Sequence, residues 1–103
     1  MEVKVRFRGI DRSEALAEHA ARRVHRHLSR FGGQITGVVV RLSDVNGPRG
    51  GRDKRCQLAV TGPRIGTLTL AETHVDLHAG LDVALDRLGH SIGRRIQRTR
   101  EHH

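Results

Sequence analysis

The chain has 103 residues, enough for one modest hydrophobic core and too few for two domains of ordinary size. Its formal net charge is +8 and its pI is near 11.5, with 17 of the 19 basic residues arginine, so the expected partner is a polyanion. No apolar run approaches the roughly 20 residues of a membrane-spanning helix, the charged start MEVKVRFRG is unlike a secretory signal, and Cys56 alone can build neither a disulfide, a cysteine zinc site nor a CxxC redox pair.

In chain order, Val3, Val5 and Phe7 alternate with Lys4, Arg6 and Arg8, the period of a strand with one buried side, over Glu2 to Gly9. Ser13 then offers an N-cap, and Leu16, Ala20, Val24, Leu28 and Phe31 recur at three and four until Gly32-Gly33 ends a helix. Gln34 to Asp44 returns to strand character through Ile35, Val38, Val40 and Leu42, and the broken spacing across Gly37 suggests a bulge. Residues 45–53 are turn formers without periodicity, a flexible Gly-rich loop. Lys54 to Thr61 alternates again, Gly62-Pro63-Arg64 is a tight connection, and Thr67 to Ala71 forms the last strand. Finally Asp76 is placed to cap a long helix whose Leu77, Leu81, Leu85, Leu88, Ile92 and Ile96 share one face.

The order β-α-β-β-β-α constrains the geometry. A strand, helix and strand of this length make a right-handed crossover, so the first two strands are parallel, and two hairpin-like connections reverse the third and the fourth. The result is an α+β domain: a four-stranded mixed sheet with both helices returning across one face, side by side and parallel.

That topology gathers charge. The first helix carries Arg22, Arg23, Arg26 and Arg30 in its C-terminal half, and the last carries Arg87, His90, Arg94, Arg95 and Arg98, with no acid inside either segment. Parallel helices bring the two sets to one end as a continuous positive surface. An outward arginine stripe is by default a solvated face, but two acid-free stripes converging exceed what solubility needs, and arginine suits forked contacts to phosphate. Phe7 and Phe31 are the only aromatic rings of the Phe, Tyr or Trp type, and both sit in core phase, so base stacking is not the expected mode. Phosphates, riboses and the shape of structured RNA are what such a surface can grip. A membrane surface is the weaker partner, since Leu and Ile stripes without Trp read as core.

The histidines include His74 with His78 and His25 with His27, but no HExxH or Cys-His spacing, so no metal is expected. There is no GxSxG, P-loop or GxGxxG, and Asp82 and Asp86, one turn apart on an exposed face, are explained by helix-dipole complementation. Neither an enzyme, a cofactor nor a small-molecule substrate is expected.

The segment Asp76-Leu77-His78-Ala79-Gly80-Leu81-Asp82, followed by Leu85-Asp86-Arg87-Leu88, resembles the opening of the last helix in the ribosome hibernation promoting factors, also called ribosome-associated inhibitor or subunit-interface proteins. The opening strand, Ser13-Glu14-Ala15-Leu16, Phe31, and Ile35 with Val38 through Ser43 fall where that family has equivalents. The resemblance implies a fold akin to double-stranded RNA-binding domains and a cytoplasmic protein that occupies the messenger and transfer RNA channel of the small ribosomal subunit, against its rRNA, and silences it. It places contact positions on Arg23, Arg26, Arg87, His90 and Arg94; Arg22, Arg30, Arg95 and Arg98 are added by the charge pattern. His78, His27 and His90 replace the Tyr, Leu and Lys or Arg usual there, and loop 45–53 is longer than in the best-known members. The chain stops after the second helix, so the C-terminal dimerising domain of long members is expected to be absent and the free protein monomeric. Other structured RNA, or a protein-interaction role in which the charge serves solubility alone, are the alternatives.

Overall fold

A computed structural model describes residues 1–45 and 53–101. The elements are β1 (Glu2–Arg8), α1 (Glu14–Leu28), a 3-10 turn (Ser29–Gln34), β2 (Gly37–Asp44), β3 (Lys54–Gly62), β4 (Gly66–His74) and α2 (Leu77–Glu101). They form one sheet in the order β1-β2-β3-β4, parallel between β1 and β2 and antiparallel at the other two pairings. The expected topology is the one observed.

Both helices start where capping chemistry allows. The Ser13 hydroxyl accepts from the Leu16 N–H at 3.1 Å, and the Asp76 carboxylate accepts from Ala79 N–H at 3.1 Å and His78 N–H at 3.4 Å. The stop of α1 is gentler than a bare glycine break: the chain tightens into the 3-10 turn, inside which Gly32 takes a φ of 55°. This turn delays β2 to Gly37, so Ile35 lies before the strand. The register from Gly37 opposite Thr61 to Asp44 opposite Lys54 is unbroken, and the broken spacing between Ile35 and Val38 marks a strand start, not a bulge. β4 exceeds its expected length at both ends, because pairing with β3 carries it from Gly66 to His74. Loop 45–53 falls outside the described residues except at its ends, where Val45 N–H donates to Asp53 O at 2.8 Å and Lys54 Nζ sits 2.8 Å from Asp44 and 3.4 Å from Asp53.

The sheet presents Val38, Val40, Leu42, Cys56, Leu58 and Val60 to the helices, which bury Ala20, Val24 and Leu28 from α1 and Leu81, Leu85, Leu88 and Ile92 from α2. Cys56 is enclosed there, its thiol donating to Leu77 O at 3.6 Å and pushed up by burial to a pKa of about 11, so it stays protonated and unreactive. No described helix is long and apolar enough to cross a membrane.

Gly62 makes the tightest backbone approach of the described glycines. A Cβ built there would lie 1.9 Å from the Gln34 carbonyl oxygen, a backbone atom that cannot rotate away. Gly62→Ala should therefore force the 3-10 turn off the end of β3 and cost about 1–3 kcal/mol, the range of overpacking. Denaturant titration measures it; an unchanged midpoint would contradict this packing.

Candidate nucleic-acid interface

The helices meet through a constant offset. Arg23 of α1 reaches Asp82 of α2, 59 positions later, with Nε and Nη2 both 2.8 Å from Oδ1. The same offset separates His19 from His78, whose rings meet edge-on at 4.6 Å between centroids, and Arg30 from Gly89, where a Cβ would lie 2.8 Å from the guanidinium. An offset that holds from one end of the seam to the other means parallel helices in register.

That register refines where the cationic residues stand. Arg22 is level with Leu81, Arg26 with Leu85 and Arg30 with Gly89, while Leu28, the last α1 residue, is level with Arg87. The two clusters are therefore staggered: the α1 arginines lie beside the N-terminal half of α2, and His90, Arg94 and Arg98 continue beyond the end of α1. They form one oblique band of roughly 25 Å, at 1.5 Å of rise per residue from the level of Arg22 to Arg98.

Within the band the side chains differ in what holds them. Arg22, Arg26, His90 and Arg98 are exposed and form no ion pair among the described residues. Arg94 is also exposed and forms no ion pair among the described residues, its Nη2 donating to Ser91 Oγ at 3.2 Å. Arg30 lays its guanidinium over the Phe31 ring at 4.8 Å, which orients it without neutralising it. The other three are held internally. Arg23 is bound to Asp82, with His27 Nε2 3.5 Å from its Nη2; Arg87 is paired with Glu72 of β4; and Arg95 donates to Ile65 O at 2.8 Å, tying α2 to the β3–β4 turn. No acid lies within either arginine segment, but Asp82 and Glu72 reach in from outside them. The two pairs are partly exposed, so each is worth at most about 1 kcal/mol, little enough for phosphate to displace.

His19 sits at the seam. Burial first, then His78, Arg22 and Arg23, lower its pKa below the ordinary 6.5, with Asp82 opposing. Folded His19 thus binds its proton less readily than unfolded His19, so its neutral form contributes stability that is present above pH 6.5 and lost as pH falls below that value. The melting temperature should drop between pH 7.5 and 5.5, and His19→Gln should shrink that drop; an identical drop in both proteins would remove His19 from the account.

Among the described residues no three His, Cys, Asp or Glu side chains are grouped to hold a metal. His74 is occupied in turn geometry, its Nδ1 accepting from Asp76 N–H at 3.2 Å.

A sequence model of the family described as Sigma 54 modulation protein / S30EA ribosomal protein matches residues 3–100. Among solved structures, the N-terminal domain of Thermus thermophilus Protein Y is similar with a TM-score of 0.75 at 26% identity, over 91% of this chain and 98% of that one. A ribosomal subunit interface protein from Coxiella burnetii has the same fold, with a TM-score of 0.75 at 20% identity over 91% and 96% of the two chains. No curated protein matches the sequence significantly.

Proposed function

The chain belongs to the Sigma 54 modulation protein / S30EA ribosomal protein family, and from that premise we propose that it silences translation by lodging in the messenger and transfer RNA channel of the small ribosomal subunit. The family is one of ribosome-associated factors, not of enzymes. The observation that carries the finer reading is the oblique band of arginines, exposed and largely without carboxylate partners, along the helix layer. It can neutralise a run of rRNA phosphates, and with no Phe, Tyr or Trp among the residues of the band it grips backbone and shape in place of sequence.

In this reading Arg22, Arg26, Arg30, His90, Arg94 and Arg98 meet phosphate directly. Arg23 and Arg87 join by exchanging Asp82 and Glu72 for rRNA, and Arg95 holds the α2 backbone in place. The protein acts in the cytoplasm as a monomer and stabilises idle ribosomes by filling the channel with cationic surface.

Sedimentation with purified subunits tests this. The protein should pellet with small subunits and be released when messenger and transfer RNA are added together. Pelleting with large subunits alone, or small-subunit binding indifferent to both RNAs, would place it elsewhere.

A further inference from the structure

The face of the sheet turned away from the helices is also cationic. Arg6 and Arg8 of β1, Arg41 of β2 and Arg55 of β3 occupy the positions that alternate with the core, so they project from the uncovered side. The pairing register sets Arg6 directly beside Arg41, and places Ser43 between Arg8 and Arg55 in the adjoining row. Neighbours in this lattice are roughly 5 Å apart across strands and 6.5 Å along them. A surface concavity is lined by these four arginines with Ser43 and Gln57, and also by Phe7 and by Asp44, whose carboxylate Lys54 holds at 2.8 Å.

None of the four forms an ion pair among the described residues. Glu2, the acid that shares their phase on β1, is held by Lys4 at 3.4 Å. Like charges directly opposite each other destabilise a strand pair, so Arg6 beside Arg41 is unfavourable in the free protein. An anion between them would reverse that penalty. The rest of the outer face is short: Val39, Ala59, Thr69 and Ala71 leave a floor with no aromatic or large aliphatic anchor of the kind that protein partners use. Dense in guanidinium groups and without a large outward apolar side chain, this surface fits a sugar–phosphate backbone.

We propose that the open sheet face is a second nucleic-acid-binding surface, which takes the backbone of one RNA segment while the helix layer holds another. The proposal rests on the RNA-binding reading above for the class of partner, and adds a surface on the opposite side of the domain and a stoichiometry. The protein is then a two-faced wedge, and its helix and sheet layers bind independently.

The test is native mass spectrometry of the whole chain with a short RNA hairpin, too short to wrap both faces, run on three proteins: the parent, a sheet variant Arg6→Gln/Arg41→Gln/Arg55→Gln, and a helix variant Arg22→Gln/Arg26→Gln/Arg94→Gln. The parent should take two hairpins and each variant one, and the sheet variant should melt no lower than the parent because a like-charge pair has been removed. Each phosphate that the sheet neutralises should contribute about 0.9 to the log–log salt slope of the parent's second binding step, the step that the sheet variant loses. A parent that saturates at one hairpin, or a sheet variant that still takes two, overturns the second surface. A polyglutamate peptide that displaces hairpin from the helix variant, and whose own binding disappears only with the sheet arginines, would assign the face to acidic protein and also overturn it. If instead the helix variant still takes two hairpins while the sheet variant takes one, the helix-face reading fails and the sheet surface stands.

Discussion

Arg26→Glu combined with Arg94→Glu should weaken binding to small ribosomal subunits by about 100-fold or more at physiological salt and leave the fold intact. Both side chains are exposed and form no ion pair among the described residues, Arg94 donating one hydrogen bond to Ser91. The structural cost should stay within about 0.5 kcal/mol. On the RNA side, a hydrogen bond to a charged group contributes roughly 1.5–3 kcal/mol, and each 1.4 kcal/mol is tenfold in affinity, so removing two such bonds reaches the stated factor before repulsion is counted. Arg23 and Arg87 are poorer targets, since reversing them would also strand Asp82 and Glu72. Fluorescence anisotropy with labelled protein decides it, and parental affinity in the double variant would mean that the band does not face RNA.

The largest effect on stability is expected at Leu88. It is fully buried, on the face of α2 that packs against the sheet, level with the end of α1. Truncation removes three methyl or methine carbons from a site enclosed by rigid strands that cannot collapse into the space, and a buried Leu→Ala change costs roughly 2–5 kcal/mol. A domain of this size holds only about 5–15 kcal/mol in total, so Leu88→Ala should melt far below the parent or populate the unfolded state at room temperature. Thermal unfolding followed by circular dichroism measures this; a shift of only a degree or two would contradict the burial of Leu88.

What the residues alone revealed follows from which interactions are local. The alternation in β1, the caps at Ser13 and Asp76 and the Leu and Ile stripe of α2 each depend on neighbours within a few positions, and all appear where expected. The parallel helices followed from the handedness of one crossover and the parity of the strands. Contacts between elements were not legible. Arg23 meets Asp82, Arg87 meets Glu72 and Arg95 meets the Ile65 carbonyl through registers that no periodicity encodes. The stagger of the arginine clusters likewise required the helix offset. The cationic sheet face was visible only in part: Lys4, Arg6 and Arg8 stood out as the polar phase of β1, but Arg41 and Arg55 join them only once the strands are aligned. The delay of β2 depended on Gly32 adopting a positive φ, which a glycine permits without requiring.

The unequal lengths of the two helices have a further consequence. α1 spans 15 residues and α2 spans 25, and beyond Ile96 no described residue of α2 is buried. Opening free energies should therefore grade along a single helix: amides around Leu85 and Leu88 exchange with solvent deuterium only when the whole domain unfolds, whereas those after Ile96 exchange through local fraying. Because Arg98 lies in the frayed stretch, partner binding would draw ordering entropy from that end alone. Slowed exchange at the tail of α2, with the middle unchanged, would be the footprint of a polyanion seated on the overhang.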